Sequence, residues 1–265
     1  SMSFAEICGL AILQGLTEFL PVSSSGHLLL LQHFADMQAN PGPALELALH
    51  GGTLLSIMAF YRKRLLALLT GVLRRDKASL LYCAALLLSC IPAGAVYFLF
   101  QERLDALFEK PLIGSLMLMV TGLLLLSTRF LTQAGRQSDP GFLPAAGIGL
   151  IQAVALLPGI SRSGSTITCA RWFGIAPHKA AEFSFLMSIP LLAGGILLKA
   201  KDIFALSDSP RELAVMLTGC GMAAIIGFLA LKILALFQLS GKFWYFGCYC
   251  LLAGGAAALA ILLMG

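Results

Sequence analysis

The chain has 265 residues, 58% hydrophobic and 12% charged, with a mean hydropathy of +0.90 and a formal net charge of +5. A soluble domain carries about 25% charged residues, so the composition excludes an ordinary globular domain and indicates a polytopic membrane protein. The Lys and Arg residues lie in short connections between apolar segments, where the positive-inside rule accounts for them, and no nucleic-acid partner is expected.

Taken in chain order, apolar segments fall at 4–20, 24–36, 44–61, 79–100, 111–131, 142–157, 163–174, 178–199, 211–237 and 243–263. A membrane-spanning helix needs about 20 residues at 1.5 Å rise. Segments 24–36 and 163–174 are too short. A polar, Ser- and Gly-rich break joins each to the segment before it: Pro21-Val22-Ser23-Ser24-Ser25-Gly26-His27 in the first case, Pro158-Gly159-Ile160-Ser161-Arg162-Ser163-Gly164-Ser165-Thr166 in the second. Irregular backbone at membrane depth is tolerated only where protein or a water-filled cavity surrounds it. The expected fold is therefore all-α, with six transmembrane helices plus two re-entrant helix–loop–helix hairpins in one membrane domain spanning 1–265.

The two breaks superimpose at a shift of 138 residues, which also brings Gln14 onto Gln152, and a slightly shorter shift aligns Ala44-Leu45-Glu46-Leu47 with Ala180-Ala181-Glu182-Phe183. Each half, 4–131 and 142–263, then holds one hairpin and three spans. Three is odd, so the second half is expected inverted, an arrangement that puts a site at the repeat interface. Connection 62–77 carries six basic residues against Asp76 alone, which marks it as cytoplasmic. Alternation from there opens the first hairpin to the periplasm and the second to the cytoplasm, although Lys199, Lys201 and Arg211 on the outer side run against the bias. The seven cysteines are scattered through apolar runs with no zinc-site spacing and read as small buried hydrophobes.

Gln14 and Glu18 lie four apart, on one face of a helix. A carboxylate within an apolar span is costly and usually functional, and the pair offers oxygen ligands to a hard divalent cation such as Mg²⁺ or Ca²⁺. In the first break, serine hydroxyls near His27 pair a nucleophile with a general base, while one serine caps the following helix. His33 and His178 read as interfacial, and the role of His50 is open, one turn after Glu46. In the second break Arg162 stands among Ser161, Ser163, Ser165 and Thr166 where a helix begins. Backbone N–H groups at a helix N-terminus together with a guanidinium make an anion site. With both tips in contact, the site would suit a phosphorylated ligand delivered from lipid.

The strings QGLTEFLPVSSSGH and PGISRSGST resemble the two signature motifs of the bacitracin-resistance family of undecaprenyl-diphosphate phosphatases, and the likeness covers essentially the whole chain. The resemblance implies hydrolysis of undecaprenyl diphosphate to undecaprenyl phosphate and inorganic phosphate in the bacterial cytoplasmic membrane, from a site opening to the periplasm. That reaction recycles the lipid carrier for peptidoglycan and gives tolerance to bacitracin. By motif position Gln14 and Glu18 match the element associated with the metal, Ser23, Ser24 and His27 the serine motif, and Arg162, Ser163 and Thr166 the diphosphate-binding motif; the substrate-binding set expected is Ser23, Ser25, Ser161, Arg162, Ser163 and Thr166. Some members carry Glu where this chain has Gln14, a poorer metal ligand. The catalytic set so implied is Glu18, Ser24, His27 and Arg162, with either Ser24 or a water as nucleophile. A polyprenyl diphosphate and membrane lipid are the expected partners, with a homodimer as the assembly allowed for. The alternative is a transporter of the polyprenyl phosphate carrier, since inverted repeats with broken helices are transporter architecture. An ion channel fits poorly, because nothing resembles a selectivity filter.

Overall fold

A computed structural model describes residues 4–34, 42–198 and 210–264, and the described residues form eleven α-helices with no named strand. These are α1 (Phe4–Phe19), α2 (Ser24–Phe34), α3 (Gly42–Phe60), α4 (Arg62–Leu73), α5 (Lys77–Leu107), α6 (Pro111–Ser127), α7 (Phe142–Val154), α8 (Arg162–Trp172), α9 (Pro177–Leu198), α10 (Pro210–Leu239) and α11 (Tyr245–Met264). Five segments are long and apolar enough to cross a bilayer: Lys77–Leu107, Pro111–Phe130, Pro177–Leu198, Leu213–Leu239 and Tyr245–Met264. Their outward surfaces carry large apolar side chains such as Leu87, Ile91, Leu123, Ile225 and Leu252. Apolar surface of this extent is costly in water and suits contact with lipid, and the chain is a multi-pass membrane protein.

The described helices differ from the expected six spans in particular places. The span expected at 44–61 is α3, whose apolar stretch Leu45–Phe60 is shorter than the other five, and which carries Glu46, His50, Gly51 and Gly52 within its first turns. Connection 62–77 is largely helical: after a turn at Tyr61, α4 presents Arg62, Lys63 and Arg64 and then exposes Leu66, Leu69 and Leu73, the pattern of a helix lying at an interface. Helix α5 continues past residue 100 to Leu107, through a break in helical geometry at Phe100. Lys199 and Lys201 lie outside the described residues. All seven cysteines are unpaired, with Cys169 and Cys250 buried.

Helices α1 and α7, 16 and 13 residues long, are each followed by an 11-residue helix, α2 and α8. The first helix of each half packs on the long middle helix of the other: α1 against α10 and α7 against α5. At the α7–α5 contact, Gln152 donates from Nε2 to the Ser89 carbonyl at 3.1 Å. This cross-packing carries the two breaks toward each other at the centre. On the face bearing α4, Asp139 accepts from Arg64 and Lys179, while Glu182 pairs with both bases. Burial works to raise the Asp139 pKa, and hydrogen bonds from Lys179 and Arg64 outweigh it and hold the carboxyl below its usual range. A depressed carboxylate contributes stability present above the unfolded value and lost as pH falls through the folded one, so this clasp loosens only in acid.

Helices α6 and α11 cross at a point where both backbones are bare. A Cβ on Gly122 would meet the Gly247 carbonyl at 2.8 Å, and one on Gly247 would meet the Gly122 carbonyl at 2.7 Å. Small residues at such crossings permit the close approach that drives helix association in lipid. Gly122→Leu is expected to lower stability by about 1–3 kcal/mol through overpacking. Gly255→Ala, on α11 where nothing lies within 4 Å, is expected to leave it unchanged or slightly raised. Thermal unfolding in detergent followed by loss of monodispersity compares the two.

Candidate active site

The two breaks meet. Ser25 Oγ accepts from the Gly159 N–H at 3.4 Å, and a Cβ on Gly26 would lie 3.0 Å from Gly159 Cα. Helix α6 runs behind the second break: Thr121 Oγ1 donates to the Gly159 carbonyl at 2.8 Å and accepts from the Ser161 N–H at 3.0 Å. Gly159 has φ +93°, and a Cβ there would collide with the Gly114 carbonyl. Only glycine fits a left-handed backbone that close to a neighbouring helix.

The two helix starts share one bonding pattern. Ser23 Oγ accepts from the Gly26 N–H at 3.1 Å and lies 3.3 Å from Ser25 Oγ. Ser161 Oγ accepts from the Gly164 N–H at 3.0 Å and lies 3.3 Å from Ser163 Oγ. Ser23 and Ser161 are thus N-caps, each satisfying an N–H that the helix leaves open. The next residue in each break, Ser24 and Arg162, is released from capping. Both helix N-termini, with their partial positive charge, come to one small cavity of ≈ 200 Å³ lined by Ser23, Ser24, Ser25, Ser161 and Arg162, with Glu18 and His50.

Glu18 organises this cavity. Its Oε1 accepts from Arg162 at 2.6 Å, and its Oε2 accepts from Ser24 Oγ at 3.2 Å and Gln14 Nε2 at 3.1 Å. The carboxylate side chain is 9% exposed and the guanidinium 22%, so the pair is screened from bulk solvent. Ser24 and Ser25 also face a second cavity of ≈ 370 Å³ with Gln14, Glu46 and His50. Arg162 also borders a third, mainly apolar cavity of ≈ 780 Å³ between α5 and α9, lined by Ala93, Phe98, Leu156, Leu191 and Ile196 among others.

Not every residue singled out in the motifs reaches these cavities. His27 lines none of the three. Its Nδ1 bonds the Ser23 carbonyl at 2.8 Å and its Nε2 the Tyr249 hydroxyl at 2.7 Å, with the two rings stacked. Ser163 and Thr166 are buried behind the cavity, and Thr166 Oγ1 bonds the Arg162 carbonyl and Ser184 Oγ. In the other direction, His50 lies within the site although its sequence position said little, and Thr121 holds the second break from a helix that carries no motif.

The description "Bacitracin resistance protein BacA" belongs to the family model that matches residues 7–256. The undecaprenyl-diphosphatase of Desulfatibacillum aliphaticivorans is 35% identical over 281 residues, covering 98% of this chain and 99% of that protein. The undecaprenyl-diphosphatase of Desulfosudis oleivorans is 39% identical, covering 93% and 94%, and that of Rubrobacter xylanophilus 38%, covering 84% and 85%.

The shared capping pattern has a measurable consequence. Ser23→Ala and Ser161→Ala are each expected to lower stability by about 1 kcal/mol, the usual cost of a lost N-cap. Ser24→Ala is expected to leave unfolding within about 0.5 kcal/mol of wild type. Unfolding in detergent measures all three, and equal losses at Ser24 and Ser23 would contradict the division into cap and free hydroxyl.

Proposed function

The chain belongs to the bacitracin resistance protein BacA family, and from that membership we propose that it is a membrane-embedded undecaprenyl-diphosphatase, removing the terminal phosphate of undecaprenyl diphosphate to leave undecaprenyl phosphate. The observation that carries this reading is the Glu18–Arg162–Ser24 constellation at two converging helix N-termini, beside a large apolar cavity. A diphosphate suits the polar centre, since Arg donors and helix N-termini both favour phosphate oxygens. A prenyl chain suits the apolar cavity that begins at Arg162 and runs between α5 and α9.

Ser24 is the nucleophile in this scheme. Its hydroxyl already donates to Glu18, the hydroxyl-to-acceptor arrangement of an activated nucleophile. When the diphosphate engages Arg162, part of that guanidinium's hold on Glu18 passes to the substrate, and the carboxylate is better able to accept the serine proton. Arg162 and the helix ends then oppose the charge that develops on the phosphoryl oxygens. Ser23 and Ser161 hold the two helix starts in register, with Ser25, Ser163 and Thr166 in support. His27 acts as a positioning residue, fixing the left-handed Ser23 (φ 67°) through its carbonyl.

Among the described residues no group of three or more His, Cys, Asp or Glu side chains gathers to hold an ion. An all-protein metal cage therefore does not fit. Glu18 and the amide oxygen of Gln14 do fit a Mg²⁺ or Ca²⁺ carried in on the diphosphate, because such ions are commonly held by one or two carboxylates together with substrate phosphates. Bound there, the ion neutralises phosphoryl charge.

For the layout in the membrane, we propose that α1–α2 and α7–α8 are re-entrant hairpins in an inverted repeat, with α3 as the sixth span. Cross-packing of α1 on α10 and of α7 on α5 supports this. The basic start of α4 supports a cytoplasmic position for that end, with the catalytic cavity opening to the periplasm.

Phosphate release from farnesyl or undecaprenyl diphosphate by the purified protein tests the reading. Arg162→Ala, Glu18→Gln and Ser24→Ala are each expected to lower kcat/KM by about 100-fold or more, and normal turnover in Arg162→Ala would sink the assignment. Label crossing sealed liposomes without phosphate release would favour a lipid transporter instead. Chelation is expected to stop turnover, and calorimetry on substrate-free protein is expected to show only weak Mg²⁺ binding. Tight stoichiometric binding without diphosphate would contradict a substrate-borne ion.

A further inference from the structure

His50 on α3 is the residue common to all three cavities around the site. It borders the cavity of Glu18, Ser24 and Arg162, the cavity of Gln14 and the serines, and the apolar cavity beyond Arg162. Its ring is oriented by its own helix, with Nδ1 2.8 Å from the Glu46 carbonyl. A carbonyl only accepts, so the proton of the neutral ring sits on Nδ1. The lone pair is then on Nε2, on the edge of the ring away from the helix backbone. Fixing one ring nitrogen on a backbone carbonyl is the usual way a protein readies the other nitrogen for chemistry. His27 shows the opposite case: Nδ1 is held in the same manner, but Nε2 is spent on Tyr249, away from the cavities. The charged and titratable groups bordering the same cavities are Glu18, Glu46, Arg162 and Tyr97. Of these only the carboxylates can accept a proton, and Glu18 is already committed to Arg162 and Ser24.

We infer that His50, whose ring borders all three cavities, is the general base that activates water in the second half of the reaction. This rests on the phosphatase reading with Ser24 as nucleophile. In the first step Ser24 Oγ bonds to the terminal phosphorus. The bond from that phosphorus to the bridging oxygen breaks, its electron pair leaves with undecaprenyl phosphate, and the serine proton passes to Glu18. In the second step a water attacks the phosphoserine and gives a proton to His50 Nε2. The new O–P bond forms as the Ser24 Oγ–P bond breaks, Oγ takes back the proton held on Glu18, and inorganic phosphate departs. His50 then returns its proton to solvent. Each residue ends as it began, and the two protons follow separate acceptors.

The experiment follows product release and enzyme phosphorylation in wild type, His50→Gln, His50→Ala and His27→Gln, with farnesyl diphosphate as the probe. His50→Gln is expected to lower kcat by about 100-fold or more, the usual share of a general base, with KM falling in parallel so that kcat/KM stays within about threefold of wild type. It should release one equivalent of farnesyl phosphate in a burst while phosphoserine accumulates at Ser24, seen by mass spectrometry. Added imidazole should restore part of the turnover of His50→Ala, and His27→Gln should accumulate no phosphoserine. Turnover of His50→Gln within about threefold of wild type would overturn the inference, as would loss of turnover with neither a burst nor phosphoserine. Failure of wild-type protein to release phosphate would instead overturn the phosphatase reading, and the inference with it. Monodispersity in detergent confirms that each variant is folded before comparison, and His50→Gln keeps an amide able to donate to the Glu46 carbonyl.

Discussion

A carboxylate and a guanidinium 2.6 Å apart, one from each half of the chain, set the terms for the rest of this molecule. Neither charge is affordable alone where both are screened from water. Each is held only because the other is brought to it. That requires two short helices to end at one point and two breaks to touch, with both long partner helices standing behind them. The features that look like fold details serve this meeting: Gly159 pressed against α6, Gly26 against Gly159, and the crossed packing of α1 on α10 and α7 on α5. Breaking such a pair leaves an uncompensated charge, which commonly costs about 3–5 kcal/mol. The pair therefore constrains the closed geometry as well as the chemistry.

Much of this was legible in the sequence, and the reason is local. Breaks rich in Ser and Gly cannot continue an apolar helix. A lone Glu in an apolar helix stands out, and so does an Arg among serines at a helix start. All three signals are carried within a few residues. The polarity of Gln14 and Glu18 on one face followed from helical spacing, and they are indeed bonded. What the sequence withheld depends on contacts across the chain. Thr121 is an unremarkable threonine in an apolar span until Gly159 and Ser161 arrive beside it, 38 and 40 residues on. Basic residues at 62–64 read as a connection, because a short helix with exposed leucines and a loop share that composition. The length of α5 beyond residue 100 was hidden because Glu102, Arg103 and Asp105 end the apolar run without ending the helix.

The histidines show the same division more sharply. His27 sits inside a motif and His50 does not, so proximity in sequence favours His27. The ring orientations are decided elsewhere, by Tyr249 from the far end of the chain in one case and by the carbonyl of Glu46 in the other. For an imidazole, what matters is which nitrogen is left without a partner and what space it borders, and neither follows from the adjacent residues.

The two breaks also differ in a way that explains why one site needs both. Their cap positions, Ser23 and Ser161, make the same bond to an N–H three residues on, so a change at either would weaken a helix start. The residue after the cap has no such duty. There one half holds Ser24 and the other Arg162: a hydroxyl able to react and a cation able to bind. Two helix N-termini directed at one cavity already favour an anion, and Arg162 strengthens that preference. Glu18 opposes it, holding the site near neutrality until an anionic group arrives. In the scheme proposed above, a diphosphate replaces Glu18 as the partner of Arg162, and the same exchange frees the carboxylate that lies against the Ser24 hydroxyl. Binding and activation are then one rearrangement of charge, and it uses the position at which the two breaks differ, Ser24 against Arg162, while the caps are the same residue.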